Sequence, residues 1–127
     1  MTFVLLNADL VERIHDHVLN PGELRGRAKD KSLDGTLARV ENRLTYGMIG
    51  DVFDLAACYA VVISQGHCFN DANKRTAFRA MQLSLLLNGV EMPFQTEETG
   101  QVIIRAAQRL LDEGELAEWL RQRAARA

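Results

Sequence analysis

A chain of 127 residues with 47% hydrophobic and 25% charged side chains has the size and balance of one ordinary globular domain built on a single apolar core. Its net charge of −2 gives no general pull toward nucleic acid, so direct nucleic-acid binding is not expected without a local basic patch. Cys58 and Cys68 lack a CxxC spacing, which argues against a disulfide framework or a zinc site, and no apolar run reaches transmembrane length.

The run Met1-Thr2-Phe3-Val4-Leu5-Leu6 has no basic leader and is too short for a signal peptide, so the expected address is the cytosol. Asn7 is placed to cap a first helix in which Leu10, Ile14 and Val18 recur every four residues, and Asn20-Pro21-Gly22 ends it. A polar connection from Arg25 to Ser32 follows, basic at Arg25, Arg27, Lys29 and Lys31. A second helix carries Leu33, Leu37, Val40 and Leu44 on one face. The stretch Thr45-Tyr46-Gly47-Met48-Ile49-Gly50, with glycines among β-branched and aromatic neighbours, reads as a loop or a short hairpin.

Asp51 then caps a strongly apolar helix through Val52, Phe53, Ala56, Ala60 and Ile63, with Gly66 in the usual stop position. The next pattern runs from Asn73 through Phe78, Met81, Leu85 and Leu86 to Asn88-Gly89. Both are apolar around much of their circumference, so they should form the buried centre. Val90 to Phe94 is a short extended piece. Thr96 is expected to cap another helix, with Glu97 and Glu98 in its first turn and Val102, Ile103, Ala106 and Leu110 as its apolar positions. After Gly114 a last helix uses Leu116, Trp119 and Leu120, and Arg121, Arg123 and Arg126 complement its C-terminal end. The expected fold class is all-α, a single compact helical domain over residues 1–127 with a short hairpin or flap.

Chemistry concentrates in His67-Cys68-Phe69-Asn70-Asp71-Ala72-Asn73-Lys74-Arg75. A histidine can exchange a proton near neutral pH, and a carboxylate such as Asp71 can hold Mg²⁺ together with substrate phosphates. Lys74 and Arg75 supply positive charge, and Arg75 a planar fork suited to phosphate. The segment closes one helix and opens another, so free backbone N–H groups at the new helix start would face a bound anion. Phe69 should pin the loop into the core. Cations at a helix start oppose its dipole, and their placement makes sense if an anion sits there. A lone histidine after a helix is usually a cap or surface residue; the whole set in register favours function. His15 and His17 are two apart on a helix and make a poor metal pair, while Cys68 reads as a packing residue. Neither G-x-x-x-x-G-K-(S/T) nor G-x-G-x-x-G occurs, so a nucleotide site must be this one.

The run His67 to Phe78 resembles the Fic/Doc signature H-P-F-x-(D/E)-G-N-G-R-x-x-R. His67, Phe69, Asp71, Asn73 and Arg75 match; Ala72 and Lys74 replace the two glycines, and Phe78 replaces the second arginine. Arg79 is one step further on, about 100° around the helix. The altered pattern H-x-F-x-D-A-N-K-R-T-A resembles the Doc branch, the toxin half of Phd/Doc toxin–antitoxin modules. Ile14-His15-Asp16, the Arg39 to Tyr46 segment and Asn88-Gly89-Val90 extend the resemblance over most of the chain.

That resemblance implies a fold, an activity and partners. AMP-transferring Fic proteins hold the terminal phosphate of ATP with the second arginine; Doc proteins bind ATP the other way round and deliver its γ-phosphate. The implied function is a protein kinase that phosphorylates a threonine of translation elongation factor Tu and arrests protein synthesis. His67 would be the general base, Asp71 the Mg²⁺ residue, and Asn70, Ala72, Asn73, Lys74 and Arg75 the ATP and phosphate site. Phe69 would anchor the loop, and Thr45, Tyr46, Gly47, Met48 and Ile49 would form a flap that aligns the target as an added strand. The Arg25 to Lys31 segment reads as a solvated loop, or as a contact for ATP or an acidic target. The self-inhibitory pattern (S/T)-x-x-x-E-(G/N) is missing, because Leu37 and Arg109 precede Glu41-Asn42 and Glu113-Gly114. Restraint is therefore expected from a Phd-like antitoxin whose disordered C-terminal segment folds on binding, with an apolar groove receiving an amphipathic helix. The rival readings are AMP transfer onto another protein hydroxyl, a non-catalytic antitoxin-binding module, and a helical nucleic-acid binder.

Overall fold

In the computed structural model, which describes residues 2–126, the chain folds into α1 (Ala8–Val18), α2 (Leu33–Thr45), α3 (Val52–Gly66), α4 (Asn73–Leu87), α5 (Thr96–Ala107) and α6 (Glu113–Arg126). Among the described residues there is no strand; a single antiparallel bridge joins Arg27 to Phe69. The all-α expectation holds. Met1 and Ala127, the ends of the expected 1–127 span, lie outside the described residues.

Four of the helices start on side-chain caps, α6 among them through Asp112 Oδ1, which accepts the Glu115 N–H at 2.8 Å. Asn7 Oδ1 accepts from the Leu10 N–H, Ser32 Oγ from Gly35 and Asp51 Oδ1 from Asp54, each at 2.9 Å, satisfying donors that a helix start leaves orphaned. α5 departs from expectation. Gln95 occupies its cap position without a side-chain bond, and Thr96 is already helical; the acidic first turn, Glu97 and Glu98, complements the dipole instead.

Three helices end alike. Met48 N–H bonds Arg43 O, Val90 N–H bonds Leu85 O and Leu110 N–H bonds Arg105 O. Each closes over a left-handed residue, Gly47, Gly89 and Arg109 respectively, as in a Schellman ending. Two expectations change as a result. Thr45 is the last residue of α2 and Tyr46–Gly47 its closing turn, so of the two readings of 45–50 the loop is the one formed, with no paired hairpin. Leu110 lies past α5, 62% exposed, rather than on its buried face, because Arg109 takes the left-handed conformation that usually falls to glycine.

α3 is the central element, buried at every position from Leu55 to Ser64 and packed against α2, α4, α5 and α6. Ala56, Ala57 and Ala60 on α3 and Ala77 and Ala80 on α4 are fully buried; such small side chains let two helices approach closely. The Tyr59 hydroxyl accepts the Leu6 N–H at 2.8 Å and fastens the N-terminal segment to the core. No helix among the described residues is long and apolar enough to cross a membrane.

Asp51 does two jobs. Besides capping α3, its carboxylate receives Arg121 Nε at 2.8 Å and Nη2 at 3.1 Å from α6, and that guanidinium holds the Asp51 carboxyl below the usual carboxylate range. A group lowered in this way stabilises fully above its unfolded pKa and loses the effect as pH falls through the folded value. Replacement Asp51→Ala should cost about 1–2 kcal/mol at pH 7. In urea melts the gap to the parent protein should narrow steadily as the pH is lowered below about 4.

Candidate active site

The connection from α3 to α4 carries the sequence motif, and a left-handed residue stands at each end of it. α3 does not stop at Gly66; Gly66 is its last helical residue, and His67 is the left-handed cap at φ 51°, ψ 41°. The glycine serves close approach instead. A Cβ there would lie 3.0 Å from Thr36 Oγ1 and 3.3 Å from Thr36 Cγ2, so α2 and α3 meet across it. The reversal then falls one residue later, on an exposed histidine. At the other end Ala72, which stands in a glycine position of the motif, takes φ 65° as the start of α4, with no side-chain cap. Left-handed backbone costs an L-residue roughly 1–2 kcal/mol, so both ends must be held in place by their surroundings.

The inward side chains do the holding. Phe69 is 2% exposed and stacks on the buried imidazole of His15, ring centroids 3.9 Å apart and planes 8° from parallel. Asn73 clamps the same residue: its Oδ1 accepts the Phe69 N–H at 3.1 Å, and its Nδ2 donates to Phe69 O at 2.9 Å. Cys68 is buried with its sulfur 3.0 Å from Thr36 Oγ1, in keeping with packing. Burial also pushes the Cys58 thiol up to about 12, far from nucleophilic use.

The connection between α1 and α2 forms the other wall. It is not simply a solvated loop, because its backbone is paired to the motif: Ala28 N–H donates to Cys68 O at 2.8 Å and Asn70 N–H to Gly26 O at 3.2 Å. Asn70 Nδ2 adds a bond to Arg25 O at 3.1 Å. Its side chains turn elsewhere, Arg27 reaching Glu12 of α1 at 3.2 Å. The Leu24 N–H donates to Asp71 Oδ2 at 2.8 Å. Arg75 sends Nη1 to Val18 O at 2.6 Å and Nη2 to the Glu23 carboxylate. That guanidinium, with the Asn20 N–H, holds Glu23 below the usual carboxylate range. Sequence reasoning missed this wall. The left-handed glycines at 22 and 26 are its only local signals.

The groups left facing outward are His67 and Lys74, both exposed, and the uncapped start of α4, where backbone N–H groups favour an anion. No group of three or more His, Cys, Asp or Glu side chains among the described residues forms a metal cage. One carboxylate beside an anion-binding helix start suits Mg²⁺, which takes most of its remaining ligands from phosphates and water. So Asp71 and its neighbours fit the expected cofactor.

Beside Arg75 opens a cavity of about 370 Å³, lined by Arg75, Phe78, Arg79, Phe94 and His17 among others. There Phe78 meets Phe94 edge to face, centroids 5.8 Å apart, and Arg79 bonds Gln82 at 3.2 Å. The cavity shares His17, Arg79 and Phe94 with a groove of about 610 Å³ whose apolar lining includes Ile14, Val18, Leu86 and Met92. Tyr46 and Met48, in the expected flap, are 79% and 65% exposed, whereas Ile49 is buried.

The model of the Fic/DOC family matches residues 5–85. Over 110 residues the chain is 34% identical to protein kinase doc of Escherichia phage P1, an alignment covering 86% of each chain.

Replacing Asn73 by alanine should leave the Phe69 amide and carbonyl without their partners. The expected loss is about 1–3 kcal/mol of stability, measured by denaturant unfolding, with the helices intact by circular dichroism.

Proposed function

The chain belongs to the Fic/Doc family, and from that we propose that it is, over its whole length, a Doc-type toxin. It acts in the cytoplasm as a kinase that moves the γ-phosphate of ATP onto a threonine of translation elongation factor Tu and so stops protein synthesis. The observation that carries this choice of chemistry is Phe78. It stands where an AMP-transferring relative would have its second arginine, and it is docked edge-on against Phe94. The nearest substitute, Arg79, is engaged with Gln82. The Phe78 ring itself offers a terminal phosphate no charge, while Lys74, Arg75 and the α4 start supply it one turn earlier in the helix.

In this reading His67 accepts the threonine hydroxyl proton. The threonine oxygen bonds the γ-phosphorus as the bond to the β-phosphate oxygen breaks, and ADP leaves with that electron pair. Asp71 would hold Mg²⁺, which would supply charge neutralisation at the phosphates. Lys74 and Arg75 bind phosphate oxygens, with the backbone N–H groups from Ala72 to Arg75 behind them. Asn70 and Asn73 contribute by fixing the loop. Tyr46 and Met48 give Thr45–Ile49 an exposed contact surface for the target. The largely apolar lining of the groove along α1 and α4, with Ile14, Val18, Leu86 and Met92, supports a role as the seat of an amphipathic antitoxin segment that folds on binding.

The test uses purified protein with Mg²⁺, elongation factor Tu, and ATP labelled at the γ- or the α-phosphate in parallel. Label should arrive from the γ position only. Arrival from the α position would make the protein an AMP transferase and overturn the reading of Phe78. His67→Ala should lower transfer at least 10²-fold with an unchanged melting curve, and growth arrest by that variant would refute the base assignment.

A further inference from the structure

We propose that His15, on α1, is a positioning residue that holds the Asp71 peptide and thereby the metal-holding carboxylate; the inference rests on the reading of Asp71 given above. His15 is completely buried, yet neither of its principal contacts is a general packing contact. Its ring lies flat on Phe69, and its Nε2 is 2.8 Å from Asp71 O. A carbonyl oxygen only accepts, so Nε2 carries the hydrogen. Nδ1 is buried without a hydrogen bond, its nearest carboxylate oxygen being that of Asp16 at 3.6 Å. An apolar residue would fill the space without leaving a ring nitrogen buried and unpaired. What the imidazole adds over an apolar ring is one donor, aimed at one carbonyl of the motif.

That carbonyl matters because of the residue after it. Ala72 is left-handed, and the simplest relief of its strain is rotation of the peptide joining Asp71 to Ala72. Such a rotation swings the Asp71 oxygen away from His15 and breaks the bond. The imidazole therefore opposes relaxation of Ala72, while Leu24 N–H holds the carboxylate of the same residue at 2.8 Å. Asp71 is gripped at both ends, from α1 and from the connection after it.

Two substitutions separate the contacts. His15→Phe keeps a ring for Phe69 and loses the donor; His15→Gln loses the ring and keeps a donor at nearly the same reach. The readouts are amide hydrogen exchange at residues 69–73, with α3 amides as internal reference, and the Mg²⁺ concentration that half-saturates ATP binding. His15→Phe should lower loop protection about tenfold and raise the Mg²⁺ requirement about tenfold or more, with α3 protection unchanged. His15→Gln should recover most of both. Loop protection and Mg²⁺ requirement like the parent in His15→Phe would overturn the proposal. So would equal loss of protection in loop and core in both variants, which would make His15 an ordinary core residue. Failure of the parent protein to transfer label would remove the kinase reading, but the exchange experiment would still decide the role of His15.

Discussion

The left-handed backbone at His67 and Ala72 is the constraint on which the rest of the site depends. A short connection between two packed helices reverses at both ends, using residues that pay roughly 1–2 kcal/mol each for the conformation. Burial of Phe69 offsets this, contributing of order 1.5–3 kcal/mol, and the Asn73 clamp and the backbone bonds to residues 26–28 add net terms of about 0.5–1.5 kcal/mol apiece. Because the inward groups are fixed, the outward ones are presented: His67 and Lys74 in solvent, the start of α4 uncapped. Unstrained geometry at either end would aim these groups differently.

What holds the loop comes from three separate parts of the chain. α1 supplies His15, the connection after it supplies backbone from Leu24 to Ala28, and α4 supplies Asn73. α3, buried through most of its length, is the platform for α4, and α1 packs on α4 in turn. The site is thus a surface feature whose support is long-range, and most of its residues act by placing a few others.

That division explains what could be read in the sequence. Caps at Asn7 and Asp51 were legible because cap chemistry is local, as were the buried central helices and the motif itself. The end of α5 was not, since Arg109 takes a conformation for which composition gives no cue. Thr96 looked like a cap but lies inside the helix, whose start relies on charge. Gly66 looked like a stop signal and is instead a close-approach residue facing Thr36, a contact visible only once α2 is in place. The wall formed by residues 20–28 was the largest omission: pairing between 26–28 and 68–70 leaves no periodic trace, and a basic, glycine-containing stretch resembles any solvated loop. His15 entered as half of a poor metal pair and as part of the resemblance, not as a support for the loop, because its partners are an aromatic ring and a carbonyl more than fifty residues away.

The ion pair between Glu23 and Arg75 also bears on which anions the site can accept. If Arg75 takes phosphate as proposed, the phosphate competes with a carboxylate that is tethered at its other oxygen to the Asn20 amide at 2.6 Å. Occupation is therefore an exchange of one anion for another. A singly charged, poorly localised anion gains little by replacing a carboxylate already in position. A polyphosphate carrying several charges, with a metal ion to share them, gains much more. On the proposed reading, Glu23 would work as a charge threshold, balancing Arg75 before phosphate arrives and discriminating against the small anions that are always present.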